Sequence, residues 1–163
     1  MRKIYLTVLI LSFIIYSQLT YADDGYRLWL KYDLITNSQK LNEYKKLIKG
    51  YLIESESPTM NAIKDELKAG LNGLLGINIP RANSIEDGTI IAGTFKNSPY
   101  LSKINLEDKL KNLGKEGFLI INSIINGKKV IIITANEDVG ALYGTFNFFK
   151  VAANKPGYKE FKY

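Results

Sequence analysis

A β-hairpin signal constrains the fold more than any other feature of the chain. Phe118 to Ile125 and Lys129 to Thr134 are rich in β-branched and other apolar residues, and they flank Asn126-Gly127. Asn-Gly between two such runs favours a tight turn, because both turn positions need a positive φ. The second run is apolar on both faces from Val130 to Ile133, which predicts a central strand that is covered on both sides.

Helical and strand patterns complete the predicted fold. The clearest helix starts with Ser57 as N-cap and Pro58 at the first helical position, and Gly76 is predicted to end it. Three more helices are predicted: Leu41 to Ile48, ended by Gly50; Leu106 to Leu113, capped by Asn105; and Val139 to Ala152. Tyr26 to Tyr32 and Thr89 to Phe95 are predicted strands. This order predicts an α/β (α+β) two-layer sandwich, a mixed sheet of about four strands with helices packed on it.

The N-terminus has the pattern of a secretory signal peptide. A short basic start, Arg2-Lys3, precedes an almost unbroken apolar run from Ile4 to Tyr16 and a more polar end from Ser17 to Ala22. The alternative is a transmembrane anchor, but the apolar run is shorter than the ~20 residues that a span needs. We therefore expect residues 1–22 to be cleaved and the protein to be secreted or periplasmic, without a membrane association afterwards.

The composition excludes several kinds of chemistry. The chain has no cysteine and no histidine. Zinc sites built on these residues are therefore excluded, and so is Ser-His-Asp or Cys-His catalysis, which needs an imidazole base. A secreted chain without cysteine must also be stabilised by its core instead of by disulfides. We expect no cofactor.

The charge does not predict a nucleic-acid partner. Without Arg2 and Lys3, 20 basic residues stand against 16 acidic residues. The basic excess is spread along the chain, and clusters such as Lys45-Lys46 and Lys128-Lys129 are short. A solvated surface explains this pattern better than a nucleic-acid patch.

Paired carboxylates are the only common catalytic groups that this composition permits. A glycosidase needs two carboxyl groups that face each other across a cleft, and neighbours in sequence do not supply that geometry. Helix capping and solvation explain the pairs better, so no catalytic residue is assigned. The pairs are Asp23-Asp24, Asp65-Glu66, Glu86-Asp87, Glu107-Asp108 and Glu137-Asp138.

Two other patterns have structural explanations too. Ala69 to Gly76 contains three glycines, but it lies in a helical pattern and lacks the Lys-Ser or Lys-Thr of a phosphate-binding loop. The many aromatic residues, Trp29 among them, are able to stack on sugars. Their strand and helix spacing is more typical of core positions.

Several stretches resemble the N-terminal part of the α-glucuronidases, which remove (4-O-methyl)glucuronic acid from xylan-derived oligosaccharides. DGYRLWLKYD, from Asp24 to Asp33, resembles the start of the mature enzymes, and GALYGTF, from Gly140 to Phe146, resembles a later helix start. Between them, in the family's order, lie Ala62 to Leu75, Ile90 to Thr94, Glu116 to Ile120, Asn126 to Val130 and Ala135-Asn136. The resemblance spans about residues 23–152.

The resemblance implies an accessory domain that precedes a catalytic (β/α)₈ barrel. In the resembling enzymes the catalytic acid and bases lie in that barrel, which takes ~250 residues. The expected organisation is a signal peptide at 1–22, an α-glucuronidase N-terminal-like domain at 23–153 and a short tail at 154–163, without the barrel. The expected function is that of a non-catalytic domain in glucuronoxylan degradation, encoded by a truncated or split gene. Its partners would be a barrel domain or chain and xylan-derived oligosaccharides.

Two alternatives remain at this stage. The domain is able to act as a free-standing module that binds carbohydrate or a partner protein through Trp29 and exposed tyrosines. It is also conceivable as an independent enzyme, although no acid-base pair supports that role. No cofactor-binding or metal-binding residue is assigned in any of these hypotheses, and the ligand-binding residues stay unknown.

Overall fold

The computed structural model describes residues 32–154. The predicted signal peptide, most of the predicted first strand with Trp29, and the predicted C-terminal tail lie outside the described residues. The helices are α1 (Ser38–Leu47), α2 (Pro58–Leu75), α3 (Glu107–Leu110) and α4 (Asp138–Asn154), with a 3₁₀ turn at Leu101–Lys103. The strands are β1 (Gly50–Leu52), β2 (Thr89–Thr94), β3 (Phe118–Ile125) and β4 (Lys128–Ala135).

The strands form one mixed four-stranded sheet in the order β1-β2-β4-β3. β1, β2 and β4 are parallel, and β3 is antiparallel to β4. β4 therefore lies inside the sheet, as its continuous apolar run predicts, and β3 lies at one side of it. The predicted two-layer α/β fold with about four strands is confirmed.

The first face of the sheet, called the helix face below, is covered by α2 and α4. Alternate residues of the two central strands point to this face, because successive side chains of a strand lie on opposite sides. Phe148 and Phe149 of α4 meet there edge to face, with ring centroids 5.5 Å apart. The strand residues of this core are Tyr51, Ile90, Ala92, Ile131, Ile133 and Ala135, and α2 contributes Met60, Ile63, Leu67, Leu71, Leu74 and Leu75.

The second face of the sheet, called the loop face below, is covered by the connection that follows β2. Leu101, in the 3₁₀ turn of that connection, is fully buried. The buried residues of this smaller core are Leu52, Ile85, Ile91, Leu101, Val130 and Ile132. The two cores explain why Val130 to Ile133 shows no polar alternation: both sides of β4 are covered.

The predicted hairpin and the main predicted helix are confirmed. Asn126 has a φ of 50° and Gly127 a φ of 77°, as a tight Asn-Gly turn requires. Ser57 caps α2 by accepting a hydrogen bond from the backbone N–H of Met60 at 3.0 Å. Gly76 ends the same helix in the left-handed conformation.

Two predicted boundaries are wrong. Gly50 does not end the first helix; it opens β1, a strand that the sequence analysis missed because three residues show no periodicity. The helix predicted from Leu106 to Leu113 is only α3, and its N-cap is Leu106 instead of Asn105. The helix starts one residue later because Leu106 is anchored in the interior, with 2% of its surface exposed. None of the helices among residues 32–154 is long and apolar enough to cross a membrane.

Candidate functional site

Polar residues gather at the edge of the sheet where the three parallel strands end, called the carboxyl edge below. The strands end there at Leu52, Thr94 and Ala135. Open α/β sheets bind ligands outside the carboxyl ends of their strands, where neighbouring connections leave toward opposite faces. The polar residues at this edge form two clusters, one on each face of the sheet.

The connections after β1 and β2 leave toward opposite faces. The chain after β1 enters α2, which packs on the helix face. The chain after β2 enters the segment with Phe95, Tyr100 and Leu101, which packs on the loop face. Because β1 and β2 are neighbours in the sheet, the position between their carboxyl ends is the one where open α/β sheets form a ligand-binding crevice.

The cluster on the loop face is built around Glu54, two residues after β1. Its Oε2 accepts a short hydrogen bond from the Ser98 hydroxyl and a second one, of 3.2 Å, from the backbone N–H of Tyr100. Ser98 is only 3% exposed, and its oxygen also accepts a hydrogen bond from the backbone N–H of Leu101. The half-buried carboxylate of Glu54 thus fixes the connection after β2 against the end of β1.

The cluster on the helix face joins the N-termini of α2 and α4. The Ser57 hydroxyl donates a hydrogen bond of 2.5 Å to Oδ2 of Asp138. Asp138 lies in the first turn of α4, where a negative charge is favourable next to the free N–H groups and the positive end of the helix dipole. This contact ties the two covering helices together at the carboxyl edge.

The two glycines of the GALYGTF stretch allow α4 to approach the sheet closely. A Cβ atom on Gly140 would stand 2.5 Å from the carbonyl oxygen of Gly117 and 2.8 Å from the Cβ of Ala135. A Cβ atom on Gly144 would stand 2.9 Å from Ile133 and 3.1 Å from Phe118. The stretch is therefore a packing motif, and its glycines are not arranged around a ligand.

The predicted carboxylate pairs have structural partners at several positions. Oε2 of Glu66 accepts a hydrogen bond of 2.6 Å from the Tyr32 hydroxyl, and Oδ1 of Asp87 accepts one of 2.8 Å from the backbone N–H of Lys129. The pair Asp23-Asp24 lies outside the described residues. Two further members form exposed ion pairs, Glu86 with Lys128 at 3.0 Å and Asp108 with Lys111 at 2.8 Å, which contribute little to stability.

Shifts of pKa among the described side chains follow from burial and from one surface contact. Burial raises the pKa of Tyr51, against a smaller opposing effect of the Arg81 charge. Burial lowers the pKa of Lys40. The hydrogen bond to Glu86 and its negative charge raise the pKa of Lys128. Within residues 32–154, no three acidic side chains converge in a way that could hold a metal ion.

Most of the described aromatic residues near the core are packing residues. Tyr44 and Tyr51 are each 4% exposed, and Phe148 and Phe149 are each 2% exposed. Tyr143 of α4 is the exception, with 42% of its surface exposed. The stacking role suggested for Trp29 stays a prediction, because Trp29 lies outside the described residues.

Sequence reasoning missed the cluster on the loop face. Neither Glu54 nor Ser98 is singled out by the sequence patterns. Both residues follow the end of a strand, and that position is the signal that would have found them. The signal was hidden because β1 was not predicted.

The fold and its carboxyl edge define a two-layer α/β domain of the type that the sequence resemblance implies. A family model described as "Glycosyl hydrolase family 67 N-terminus" matches residues 28–148. The chain therefore belongs to this family of N-terminal domains.

Two curated proteins support this assignment. The chain is 28% identical over 155 residues to "Probable alpha-glucuronidase A" from Aspergillus oryzae (strain ATCC 42149 / RIB 40) and, to the same extent, to the protein of that name from Aspergillus flavus. The alignments cover 94% of this chain and 17% of each relative. The resemblance to the N-terminal domain of α-glucuronidases is confirmed, and the chain spans about a sixth of the length of these relatives.

A third similarity is short. It covers 55 residues at 46% identity, or 34% of this chain and 6% of an alanine–tRNA ligase from Buchnera aphidicola subsp. Baizongia pistaciae (strain Bp). A match of this extent assigns neither a fold nor a function to the domain.

Proposed function

We propose that this domain is the non-catalytic N-terminal part of an α-glucuronidase system that acts on glucuronoxylan-derived oligosaccharides. The observation that carries the proposal is the family match over residues 28–148. The match includes the whole sheet from β1 to β4 and most of α4. The domain contributes by packing against a catalytic (β/α)₈ barrel, and the barrel supplies the acid-base chemistry.

Exposed apolar side chains support the packing role. Ile124 of β3 is 62% exposed and Tyr143 of α4 is 42% exposed. Both belong to the hairpin and the helix that end the domain, and we expect the surface for the barrel to lie there. Two other large apolar side chains, Leu34 at 51% and Ile77 at 39%, are exposed elsewhere. That the first two form one continuous apolar patch stays a prediction.

The purified domain is expected to release no glucuronic acid from aldouronic oligosaccharides. Chromatography of the reaction products with a full-length family 67 α-glucuronidase as positive control measures this directly. Release above the level of a heat-inactivated sample would contradict the non-catalytic role.

The packing role is tested by adding a family 67 catalytic domain to the same protein and measuring association by analytical ultracentrifugation. Tyr143→Lys should abolish association, since it places a charge in the proposed contact. Ile77→Lys introduces the same charge at a comparably exposed side chain and should leave association intact. Equal behaviour of the two variants would argue against a contact through α4.

We also propose that the protein is exported, because Arg2-Lys3 and the apolar run from Ile4 to Tyr16 have the pattern of a signal peptide. Expression in a secreting host should yield a protein that begins at Asp23. Intact-mass measurement and N-terminal sequencing check this expectation, and a membrane-bound product that retains Met1 would contradict it.

A further inference from the structure

Gly93, near the end of β2, lies beside an open space on the loop face of the sheet. Its position alternates with Ile91, so a side chain at residue 93 would point to the loop face. Gly93 is buried. Apart from Gly93 and its two neighbours in the chain, no residue that the structure describes has an atom within 4 Å of the place where its Cβ would stand. Protein interiors are normally close-packed, so open space beside a buried strand residue is unusual.

A hydroxyl group without a partner borders the same region. Thr134 of β4 is the register partner of Gly93. It points to the loop face, because it alternates with Val130 and Ile132. Thr134 is 0% exposed, and its Oγ1 makes no hydrogen bond. A buried hydroxyl that has lost water and gained no partner is unfavourable, unless a ligand or an ordered water satisfies it.

Glu54 borders the space on the other side. β1 and β2 pair Leu52 with Ile91, so Glu54 follows at the level of Gly93. β1 and β4, the strands on either side of β2, are about 10 Å apart. Because Gly93 of β2 has no side chain, the loop face is left open between them at this level. Glu54 Oε2 is engaged by Ser98 and Tyr100, whereas Oε1 makes no hydrogen bond to any described residue. Glu54 is only half-buried, so this side of the space is in contact with solvent.

We propose that the space over Gly93 binds a small uncharged polyol through adjacent hydroxyl groups. One hydroxyl of the ligand donates a hydrogen bond to Glu54 Oε1, and its neighbour exchanges a hydrogen bond with Thr134 Oγ1. The apolar side chains of Ile91 and Ile132 on the same face contact the C–H groups of the ligand. The edge of a sugar ring has this combination of groups. The proposal is independent of the role of the domain beside a barrel.

The chemistry of the bordering groups favours a polyol over an ion. Glu54 would repel an anion, and a divalent cation is favoured by several carboxylates, which residues 32–154 do not bring together. The location agrees with the general rule for open α/β sheets, because the space lies at the carboxyl edge, where the connections after β1 and β2 leave toward opposite faces.

D-xylose is a suitable probe, because it is a small ring with adjacent hydroxyl groups. A titration of the ¹⁵N-labelled full chain after signal removal should produce saturable shifts of the backbone N–H resonances of Gly93 and Thr134. 1,4-Dioxane, a ring of similar size without hydroxyl groups, should produce none. Absence of saturable shifts with D-xylose, or equal shifts with dioxane, would overturn the proposal.

Three variants locate the site. Thr134→Val keeps the side-chain shape and removes the hydroxyl, and it should weaken D-xylose binding by about tenfold. Gly93→Val fills the space and should abolish binding. Thr94→Val is the matched control, since Thr94 is 2% exposed, lacks a hydroxyl partner and faces the helix layer instead; its affinity should equal that of the unmodified chain.

Unchanged binding in Gly93→Val or Thr134→Val would place the sugar elsewhere and overturn the proposal. Should Gly93→Val fail to fold, Thr134→Val decides alone, because it is isosteric and removes an unsatisfied buried hydroxyl. Thr134→Val should also raise Tm in the absence of D-xylose, which separates the loss of a ligand contact from a loss of folding.

Discussion

Ile131→Ala is expected to lower the free energy of unfolding by about 2–5 kcal/mol. Ile131 is 0% exposed, lies on β4 between two other strands and belongs to the core on the helix face. Removing three of its side-chain carbons loses transfer free energy and leaves a cavity that close-packed neighbours do not fill. Urea denaturation followed by far-UV circular dichroism measures the loss.

Ile124→Ala is the matched control for this substitution. Ile124 lies on the neighbouring strand β3 and, by its alternation with Phe118 and Ile120, on the same face of the sheet. It is 62% exposed, so the same truncation should change stability by no more than about 0.5 kcal/mol. Similar effects of the two substitutions would show that α2 and α4 do not cover β4 as described.

The parts of the fold that the sequence predicted well are those with local physical causes. The hairpin was predictable because Asn126 and Gly127 both accept the positive φ that the turn requires. α2 was predictable because Ser57, Pro58 and Gly76 mark its two ends. Each of these features depends on residues that are close together in the sequence, so no knowledge of the sheet was needed.

The parts that escaped prediction depend on contacts between distant residues. β1 has only three residues, and its parallel pairing with β2 defines it better than its own sequence does. The loop-face cluster unites Glu54 with Ser98 and Tyr100, which come from separate stretches of the chain. They meet because three parallel strands end at one edge, and neither spacing nor composition encodes that register.

The same distinction applies to the glycines. Gly70 and Gly144 interrupt apolar helical patterns, which is typical of close packing; Gly144 packs on the sheet and Gly70 on the neighbouring helix. A Cβ atom on Gly70 would collide with the ring of Phe149, which belongs to a helix far along the chain. The sequence thus indicated that packing is close and left the contacting residue open. Gly93 shows the opposite case, a strand glycine beside empty space, and no local pattern distinguishes the two.

Gly88→Ala is expected to lower the free energy of unfolding by about 2–4 kcal/mol, through two separate effects. Gly88 has a φ of 83°, which an alanine adopts only at a cost of about 1–2 kcal/mol. Its Cβ would also collide with the backbone carbonyl oxygen of Leu47 and stand 2.9 Å from Cγ of Lys49. Gly88 is not able to move away from that oxygen freely, because backbone hydrogen bonds of 2.9 Å join it to Lys49 and to Lys129.

Gly127→Ala separates the two effects. Gly127 has a similar φ of 77°, but no described atom lies within 4 Å of its Cβ position. It should therefore lose only the conformational part, about 1–2 kcal/mol. The difference between the two urea midpoints then measures the effect of the close contact with the Leu47 carbonyl. This contact lies where the end of α1 meets the amino ends of β1, β2 and β4. Equal losses would mean that this approach is loose, and that the amino edge of the sheet is held by the hairpin and the helices alone.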